Sequence, residues 1–487
     1  MKRISRRRFI RNSLYAGAAI MTPSSRVLGA NNDIRIGFVG LGSFIKIGGK
    51  GRRDLQDFRK ITGVRIAAIC DCDTDNLMPV LKQCNGLNEK VGTYTDVRAL
   101  LDDKEIDAVS IATPNHWHSL ITIWACQAGK DVFVQKPASH NIFEGRKMFE
   151  AAKKYKRIVQ AAHGPRSNGA LEESFEYVRQ GKMGKILYVH GVNYKARMSI
   201  GKVDGPQPIP KSCDYNLWCG PAPQRPMMRK NLHYDWHWDW QTGNGDLGNM
   251  GIHFMDSCRW ALDKAELPRH VMSIGGRFGY EDDGQTPNTL ITFLDYEPVP
   301  IIFEVRGLPK NKSFQSKNWK KSMDKYHGTQ YGAAVHCEHG YVLDGSAYDN
   351  KDRWIKKFTS KRVGTKENFI QVMRNRKTEE LYTDALQGHL SCGLVHMANI
   401  SYNLGEEKPS EQIRDVIQGN KEFTKSFDRF LTHLDANGID LKKTPAILGP
   451  MLEFDPYTEK FVGEFRKQAN KLVTRDYRKP FVVPEKV

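Results

Sequence analysis

Residues 130–137 read Lys-Asp-Val-Phe-Val-Gln-Lys-Pro, and this stretch guides the interpretation of the whole chain. The apolar, β-prone run at 132–134 predicts a buried strand, and Pro137 ends it because proline has no N–H to donate to a neighbouring strand. Lys136 therefore lies at the carboxyl end of a strand, which is the edge of an open α/β sheet where ligands bind. The alternative is a solvated lysine at a strand edge.

The composition is that of a large globular protein. The chain has 487 residues, 40% of them hydrophobic, which is enough for a large core and for two or three domains. No run of 18 apolar residues follows the N-terminus, so we expect no stable membrane insertion of the mature chain. The formal charge is +19, but basic and acidic residues are interspersed after the N-terminus. Without a zinc-finger, RRM or KH motif, nucleic acid is not the expected partner.

The first thirty residues, 1–30, predict a targeting segment. They contain seven basic residues and no acidic one. Arg6 and Arg7 precede a modest apolar run at 14–21, and the small residues Gly29 and Ala30 offer a cleavage point. This pattern resembles a twin-arginine export signal, which carries proteins that are already folded. We therefore expect a periplasmic protein; a basic tail without a targeting function is the alternative.

The nine cysteines show no C-x-x-C spacing, so they predict neither a zinc ribbon nor a redox motif. Folding before export leaves them as buried thiols, and none is assigned a catalytic function.

A nucleotide-binding turn is predicted at 37–51. An apolar strand at 33–39 runs into Gly40 and Gly42, whose spacing lets the backbone turn tightly and approach a pyrophosphate. The third glycine of G-x-G-x-x-G is missing, and Gly51 is the candidate for a displaced third glycine. Asp71 then follows 20 residues later, where an acid binds the ribose hydroxyls. A carboxylate there favours NAD over NADP, although Asp71 could also cap a helix.

Strands and helices alternate from 33 to 160. Apolar runs at 64–70 and 106–112 predict further buried strands, with helical patterns at 74–84 and 119–128. Such alternation predicts an α/β domain with a doubly wound, parallel Rossmann sheet.

Four motifs occur in order along the chain: Gly40-Leu41-Gly42, Asp71, Thr113-Pro114-Asn115-His116-Trp117-His118 and Lys136-Pro137. This ordered combination resembles the Gfo/Idh/MocA family of nicotinamide-dependent sugar and polyol oxidoreductases. In that family the lysine lies in a Glu-Lys-Pro signature, whereas this chain has Gln135 in place of the glutamate. The resemblance implies that Lys136 acts in catalysis and also contacts the cofactor. With Gly51 from the spacing argument, the predicted cofactor contacts are Gly40, Gly42, Gly51, Asp71, Thr113, Pro114, Asn115, His118 and Lys136.

Residues 161–405 predict a second, α+β domain. Runs at 186–194, 271–278, 289–296, 300–307 and 331–343 read as strands without regular helical crossovers, which favours an open, mainly antiparallel sheet. One face of that sheet would be available to a sugar or to another subunit, so we expect a homo-oligomer. Residues 406–487 form an extension whose function the sequence does not indicate.

The second chemical stretch is 235–256, in which three tryptophans alternate with polar residues before four glycines. Flat indole rings stack on sugar C–H surfaces, so this stretch predicts a substrate-binding loop. A helix starting near Gly248 would place Asn249, His253 and Asp256 on one face. By the resemblance, His253 is the catalytic histidine and Asn249 stands where an aspartate is common, so Asp246 or Asp256 could be its partner. The predicted substrate contacts are Arg166, Trp236, Trp240, Asp246 and Asp256.

A metal site is not predicted. His233, His237 and His253 lie within twenty-one residues, but their spacing matches no compact zinc signature.

The predicted reaction is hydride transfer between a secondary alcohol of a sugar or cyclitol and tightly held NAD, with NADP less favoured. His253 would take the hydroxyl proton, and the Lys136 ammonium would stabilise the developing alkoxide. Two alternatives remain: a glycoside hydrolase that oxidises C3 transiently, and a sugar-binding protein without catalysis on the same fold.

Overall fold

The computed structural model describes residues 33–43, 48–316 and 318–487. Residues 34–487 form one compact unit. The predicted export signal at 1–30 lies outside the described residues. In the described part of the chain, no helix is long and apolar enough to cross a membrane.

The first sheet contains six parallel strands in the order β3-β2-β1-β4-β5-β6. Short apolar runs form it because both faces are covered; every residue of β4 and β5 is buried. The strands are β1 Ile34–Val39, β2 Val64–Cys70, β3 Gly92–Tyr94, β4 Ala108–Ile111, β5 Asp131–Val134 and β6 Val159–Ala161. The helices are α1 Lys50–Arg59, α2 Thr74–Gly86, α3 Val97–Asp102, α4 Asn115–Gln127 and α5 Ile142–Lys154.

The strand order reverses between β1 and β4, and this is where such a sheet binds ligands. Val39 at the end of β1 pairs with Cys70 of β2 and with Ile111 of β4. The residues that follow these strands therefore come together at one edge. The turn after Val39, Asp71 and the loop after Ile111 consequently share one crevice.

The second sheet has twelve strands and is mainly antiparallel, with β7 and β10 as a parallel pair. Its path is β14-β13-β12-β11-β7-β10-β9-β8-β16-β15, and β17 pairs with β8 and β18. A Rossmann sheet followed by an α+β domain with this sheet confirms the predicted fold class. The strands are β7 Ile186–Tyr194, β8 His270–Gly276, β9 Thr289–Asp295, β10 Ile301–Arg306, β11 Tyr331–Cys337, β12 Gly340–Leu343, β13 Ser346–Tyr348, β14 Trp354–Lys357, β15 Glu406–Lys408, β16 Ala446–Leu448, β17 Leu452–Asp455 and β18 Lys460–Val462.

Helices cover both faces of the second sheet. On one face α8 and α10 share a core with the first sheet, and on the other α11 and α12 bury a separate apolar cluster against β8, β9 and β10. Part of the face predicted to be open is therefore covered by the chain's own C-terminal segment. The remaining helices are α6 Gly169–Arg179, α7 Tyr215–Cys219, α8 Ile252–Ala261, α9 Thr365–Asn375, α10 Ala385–Asn403, α11 Ser410–Ile417, α12 Lys421–Ala436 and α13 Arg466–Leu472.

The C-terminal extension returns to the first domain. The Tyr477 hydroxyl donates to Glu144 in α5 (3.3 Å), and the Phe481 ring packs edge-on against Trp117, with 5.3 Å between centroids. Residues 406–487 therefore contribute four strands and three helices to the fold, and their tail supports helix α4.

Candidate functional site

A cavity of about 880 Å³ lies at the carboxyl edge of the first sheet. Its other walls come from residues after β7 and from the start of α8. Among the residues predicted to act at the site, those that line this cavity are Gly40, Gly42, Asp71, Thr113, Pro114, Asn115, His118, Lys136, Trp236, Asn249 and His253. One cavity thus joins the predicted nucleotide site to the predicted catalytic pair.

The glycine turn leaves room that a side chain would fill. Gly40 has a φ of +81°, and a Cβ there would lie 2.7 Å from the backbone nitrogen of Thr113. Gly51 is inside α1, and a Cβ on it would lie 1.9 Å from the Gly40 carbonyl oxygen. The predicted cofactor contact at Gly51 is thus revised: Gly51 lies behind the cavity lining and lets α1 pack on the turn. The N-terminus of α1 is held where phosphate groups bind.

Asp71 is fixed at the end of β2. Its Oδ2 accepts a hydrogen bond from the Leu41 N–H (2.8 Å), and its Oδ1 accepts one from the Asp73 N–H (3.0 Å). Burial raises the pKa of this carboxyl, and the two N–H groups oppose the shift. Arg52 of α1 donates to the Ser43 carbonyl (2.7 Å), so the turn is held from both sides. This arrangement fits the ribose and pyrophosphate of NAD.

The loop after β4 is held rigidly. The two ring nitrogens of His118 lie 2.7 Å from the carbonyl oxygens of Pro137 and Thr113, which joins this loop to the end of β5. Burial lowers the pKa of His118 to about 4, and the two carbonyl oxygens oppose this shift. Asn115 donates to the Asn244 side chain (3.0 Å) and ties the loop to the second domain.

Lys136 is half-buried in the wall of the cavity. Its Nζ donates to the main-chain carbonyl of Asn249 and lies 3.3 Å from the Asn249 side-chain oxygen. Burial lowers the pKa of Lys136 to about 7, and the positive charge of Arg197 adds to this effect. A lysine with this pKa is partly neutral near pH 7 and can take or give a proton.

His253 lines the same cavity from α8. Burial lowers its pKa well below the usual range, and the charge of Lys136 contributes. Its Nδ1 has no hydrogen-bond partner among the residues that the structure describes. The residues before it, Leu247–Gly251, form a turn of π-helix, a feature frequent at functional sites. Asn249 lies in this turn and presents its main-chain oxygen to Lys136.

Asp256 pairs with Arg166 and is not the partner of His253. The structure also does not place Asp256 or Arg166 in the cavity lining, where substrate contacts were predicted. Arg166 binds both carboxylate oxygens of Asp256 at 2.9 Å, and Ser391 donates to it at 2.6 Å. Both charged groups are buried, and neither is among the described residues that line the cavity. We therefore assign Arg166 and Asp256 to the support beneath the site, because a buried carboxylate is satisfied by the cation it touches.

Asp246 and Trp240 also lie outside the described cavity lining. Asp246 accepts from Arg197 Nε (2.8 Å) and from Asn193 (3.0 Å), so it holds Arg197, which does line the cavity. The Trp240 ring packs near Tyr402, with 6.4 Å between centroids. The predicted substrate contacts at these two positions are thus revised, and Trp236 is the predicted tryptophan that reaches the cavity.

Several lining residues were not predicted. His237 stacks on Trp236 with 3.6 Å between centroids, and its Nδ1 donates to the Tyr234 carbonyl (2.6 Å), which leaves Nε2 as an acceptor. Lys195 and Arg197 follow the carboxyl end of β7. The strand-end argument used for Lys136 could have identified both cations.

Gln135, the departure from the family signature, has a carboxylate beside it. Its side-chain amide donates to Asp54 Oδ2 at 2.7 Å, and Asp54 also pairs with Lys50 (2.6 Å) and Lys366 (3.0 Å). Asp54 of α1 thus places a carboxylate next to the position of the signature glutamate.

Comparisons with known proteins agree with this geometry. Residues 34–163 match the oxidoreductase family model for the NAD-binding Rossmann fold of Gfo/Idh/MocA proteins, and residues 179–312 match the C-terminal alpha/beta domain of the same family. A levoglucosan dehydrogenase of Pseudarthrobacter phenanthrenivorans is 27% identical over 37% of this chain and 39% of its own length. An inositol 2-dehydrogenase of Salmonella typhimurium is 28% identical over 36% of this chain and 50% of its own length.

A glycosyl hydrolase family 109 protein of Shewanella sp. strain ANA-3 is 28% identical over 37% of this chain and 40% of its length. The chain thus spans half or less of each of these relatives. The WlbA dehydrogenase from Bordetella pertussis, solved with NADH and UDP-GlcNAcA, superposes with a TM-score of 0.51 at 18% identity, over 75% of this chain and 96% of that one, which shows a shared fold. The chain therefore belongs to the Gfo/Idh/MocA oxidoreductase family and begins its fold with that family's NAD-binding Rossmann domain.

Proposed function

We propose that this protein transfers hydride between a secondary alcohol of a sugar or cyclitol and a tightly held NAD. The observation that carries the proposal is the shared cavity, in which Lys136 from the first domain and His253 from the second meet beside the glycine turn and Asp71. Two relatives are named as dehydrogenases of a sugar derivative and of inositol, which supports this substrate class.

Lys136 is the residue best suited to move the substrate's proton. Oxidation of an alcohol requires the hydroxyl proton to leave as the carbon gives up hydride, and a base with a pKa near 7 does this efficiently at neutral pH. The pKa of Lys136 is about 7, because burial and the charge of Arg197 disfavour its ammonium form. In the reverse direction the same ammonium returns the proton to the oxygen.

His253 is assigned the orienting function, which reverses our expectation from the sequence. With a pKa well below its usual range, it is neutral at pH 7 and can hydrogen-bond the hydroxyl without adding charge. When NAD is bound, its nicotinamide C4 accepts or returns the hydride. Asp71 and the α1 N-terminus would hold the ribose and the pyrophosphate.

Retention of the cofactor follows from the proposed export. If the segment at 1–30 directs the folded protein to the periplasm, free nicotinamide cofactor is not available there. NAD would then be exported with the protein and recycled in its site.

The test of the proposed function is to denature the purified protein and identify the released nucleotide by its absorbance. About one NAD per chain is expected; protein that carries none, binds none and is inactive would favour a sugar-binding protein without catalysis.

A glycoside hydrolase is the second candidate, favoured by the similarity to the family 109 protein. In that reaction C3 is oxidised transiently, the aglycone is eliminated and C3 is reduced again. Incubating the protein with a glycoside in deuterated water distinguishes the hydrolase from the dehydrogenase. Deuterium at C2 of the released sugar would support hydrolysis, whereas a stable keto-sugar without aglycone loss would support the dehydrogenase.

A further inference from the structure

Three side chains with metal-binding donor atoms meet at the nucleotide end of the cavity. These atoms of Asp73, Cys213 and His233 all lie within 4.8 Å of one another. The three residues are far apart in sequence, which is why the spacing of the histidines alone gave no signal. They are largely shielded from solvent: Asp73 is 3% exposed, Cys213 9%, and the His233 side chain 18%.

The backbone fixes two of these donors before any ion arrives. Asp73 caps α2, and its Oδ1 accepts the Asp75 N–H (3.0 Å), so Oδ2 is directed to His233 Nε2 at 2.7 Å. Cys213 lies opposite Asp73 in a short antiparallel bridge, which the Asp214 N–H closes by donating to the Cys72 carbonyl (2.9 Å).

We propose that Asp73, Cys213 and His233 bind a divalent cation of the zinc class. Carboxylate, thiolate and imidazole together suit this ion, and three protein ligands leave one position open in a tetrahedral site. His233 lines the cavity, so the ion would lie beside it.

The ion would join two parts of the fold that already meet at a short antiparallel bridge. Asp73 belongs to the first domain, whereas Cys213 and His233 belong to the connection between β7 and α8, which forms the outer wall of the cavity. A metal ion at this point would link the wall to the segment that follows β2, two residues after Asp71. This inference does not depend on the reaction proposed above, because it needs no substrate.

Two other interpretations of the cluster give different results. In one, His233 and Asp73 form a simple hydrogen-bonded pair with an unreactive thiol beside it. In the other, Cys213 forms a disulfide with Cys72, whose thiol interacts with it. Neither arrangement binds metal stoichiometrically.

The experiment uses the full-length protein, stripped of metal with a chelator and titrated first with Co²⁺ and then with Zn²⁺. We expect one Co²⁺ per chain, a thiolate-to-cobalt charge-transfer band that Zn²⁺ abolishes, and a higher melting temperature with Zn²⁺. Thiol titration should find Cys72 and Cys213 reduced. Absence of stoichiometric binding, or an oxidised Cys72–Cys213 pair in the purified protein, would overturn the proposal.

Three variants test the ligands individually. Asp73→Asn keeps the helix cap, His233→Gln keeps a hydrogen-bond donor for Asp73, and Cys213→Ser keeps the side chain's size. Each should weaken Co²⁺ binding by more than about tenfold, since even loss of an outer partner costs about 10–100-fold. Cys219→Ser is the matched control, because Cys219 is buried in the same apolar cluster. A Cys213→Ser protein that keeps the charge-transfer band refutes the assignment.

Discussion

Lys136 faces an amide rather than a carboxylate, since its Nζ lies 3.3 Å from the Oδ1 of Asn249. Burial and the charges of Arg197, Lys50 and Lys195 lower its pKa, and Asp246, whose charge opposes them, is paired with Arg197. Among the residues that the structure describes, no carboxylate therefore forms a salt bridge with the lysine to hold its proton. The asparagine stands where an aspartate is common in the family, so it adds no negative charge to oppose the burial that lowers the pKa of the proposed base.

The first prediction concerns Asn249→Asp. A carboxylate beside Lys136 favours the ammonium, so the pKa of Lys136 should rise from about 7 by about one to three units. Because the neutral amine is the proposed base, the acidic limb of the kcat/KM profile for alcohol oxidation should move to higher pH by the same amount. The pH profile measures this directly, and an unmoved acidic limb would exclude Lys136 as the titrating group.

The second prediction concerns Lys136→Ala. Removing the group that transfers the proton should lower kcat by roughly 10²–10⁴-fold while NAD binding is retained, because the nucleotide is held mainly by the turn and Asp71. Turnover and bound nucleotide are measured on the same samples. Lys153→Ala, on the exposed side of α5, is the control and should match the wild type. Normal turnover in Lys136→Ala would remove the catalytic assignment.

The third prediction concerns Gln135→Glu, which restores the family signature. The new carboxylate would lie against Asp54, with which the Gln135 amide now forms a 2.7 Å hydrogen bond. Loss of this buried bond should cost about 1–3 kcal/mol. Burial and Asp54 would also raise the pKa of the new glutamate above its unfolded value of about 4.3. The loss of stability should therefore grow as pH rises above that value, and it should be larger at pH 7 than at pH 5.

Melting temperatures at pH 5 and pH 7 check this expectation. Gln56→Glu on the exposed face of α1 is the control and should change little at either pH. If Gln135→Glu were as stable as the wild type at pH 7, the hydrogen bond between Gln135 and Asp54 would not contribute to stability.

The sequence predicts the fold well where one physical signal dominates. Strand β7 was expected at 186–194 and is found at Ile186–Tyr194, although the alternation of buried and exposed residues is absent from its last six residues, which are all buried. The nucleotide turn, Asp71 and Lys136 were also predicted, since the ends of parallel strands meet at one edge whatever the details of the loops. Local patterns and one topological rule are sufficient for this part.

The remaining features depend on contacts between distant residues. Arg166 and Asp256 are 90 residues apart, and no local pattern indicates that they pair beneath the site. The helix expected near Gly248 begins instead as a π turn at Leu247–Gly251, and α8 proper starts at Ile252. Lys136 donates to a main-chain carbonyl of that turn from 113 residues away, so no local pattern in the sequence reveals the Lys136–Asn249 contact.

The last prediction concerns Asp256→Asn, which separates a support function from substrate binding. Burial alone would raise the pKa of Asp256, but the charges of Arg166 and His163 hold it well below its usual range. The ion pair therefore stabilises the protein above the unfolded pKa of about 4 and loses this effect only as pH falls through the lower folded value. Removing one partner leaves Arg166 buried without its counter-ion, which should cost about 3–5 kcal/mol at pH 7. Thermal unfolding should show this loss with KM unchanged for the folded fraction, and the exposed Asp102→Asn should behave as the wild type. A variant of normal stability with a raised KM would instead return Asp256 to the substrate site.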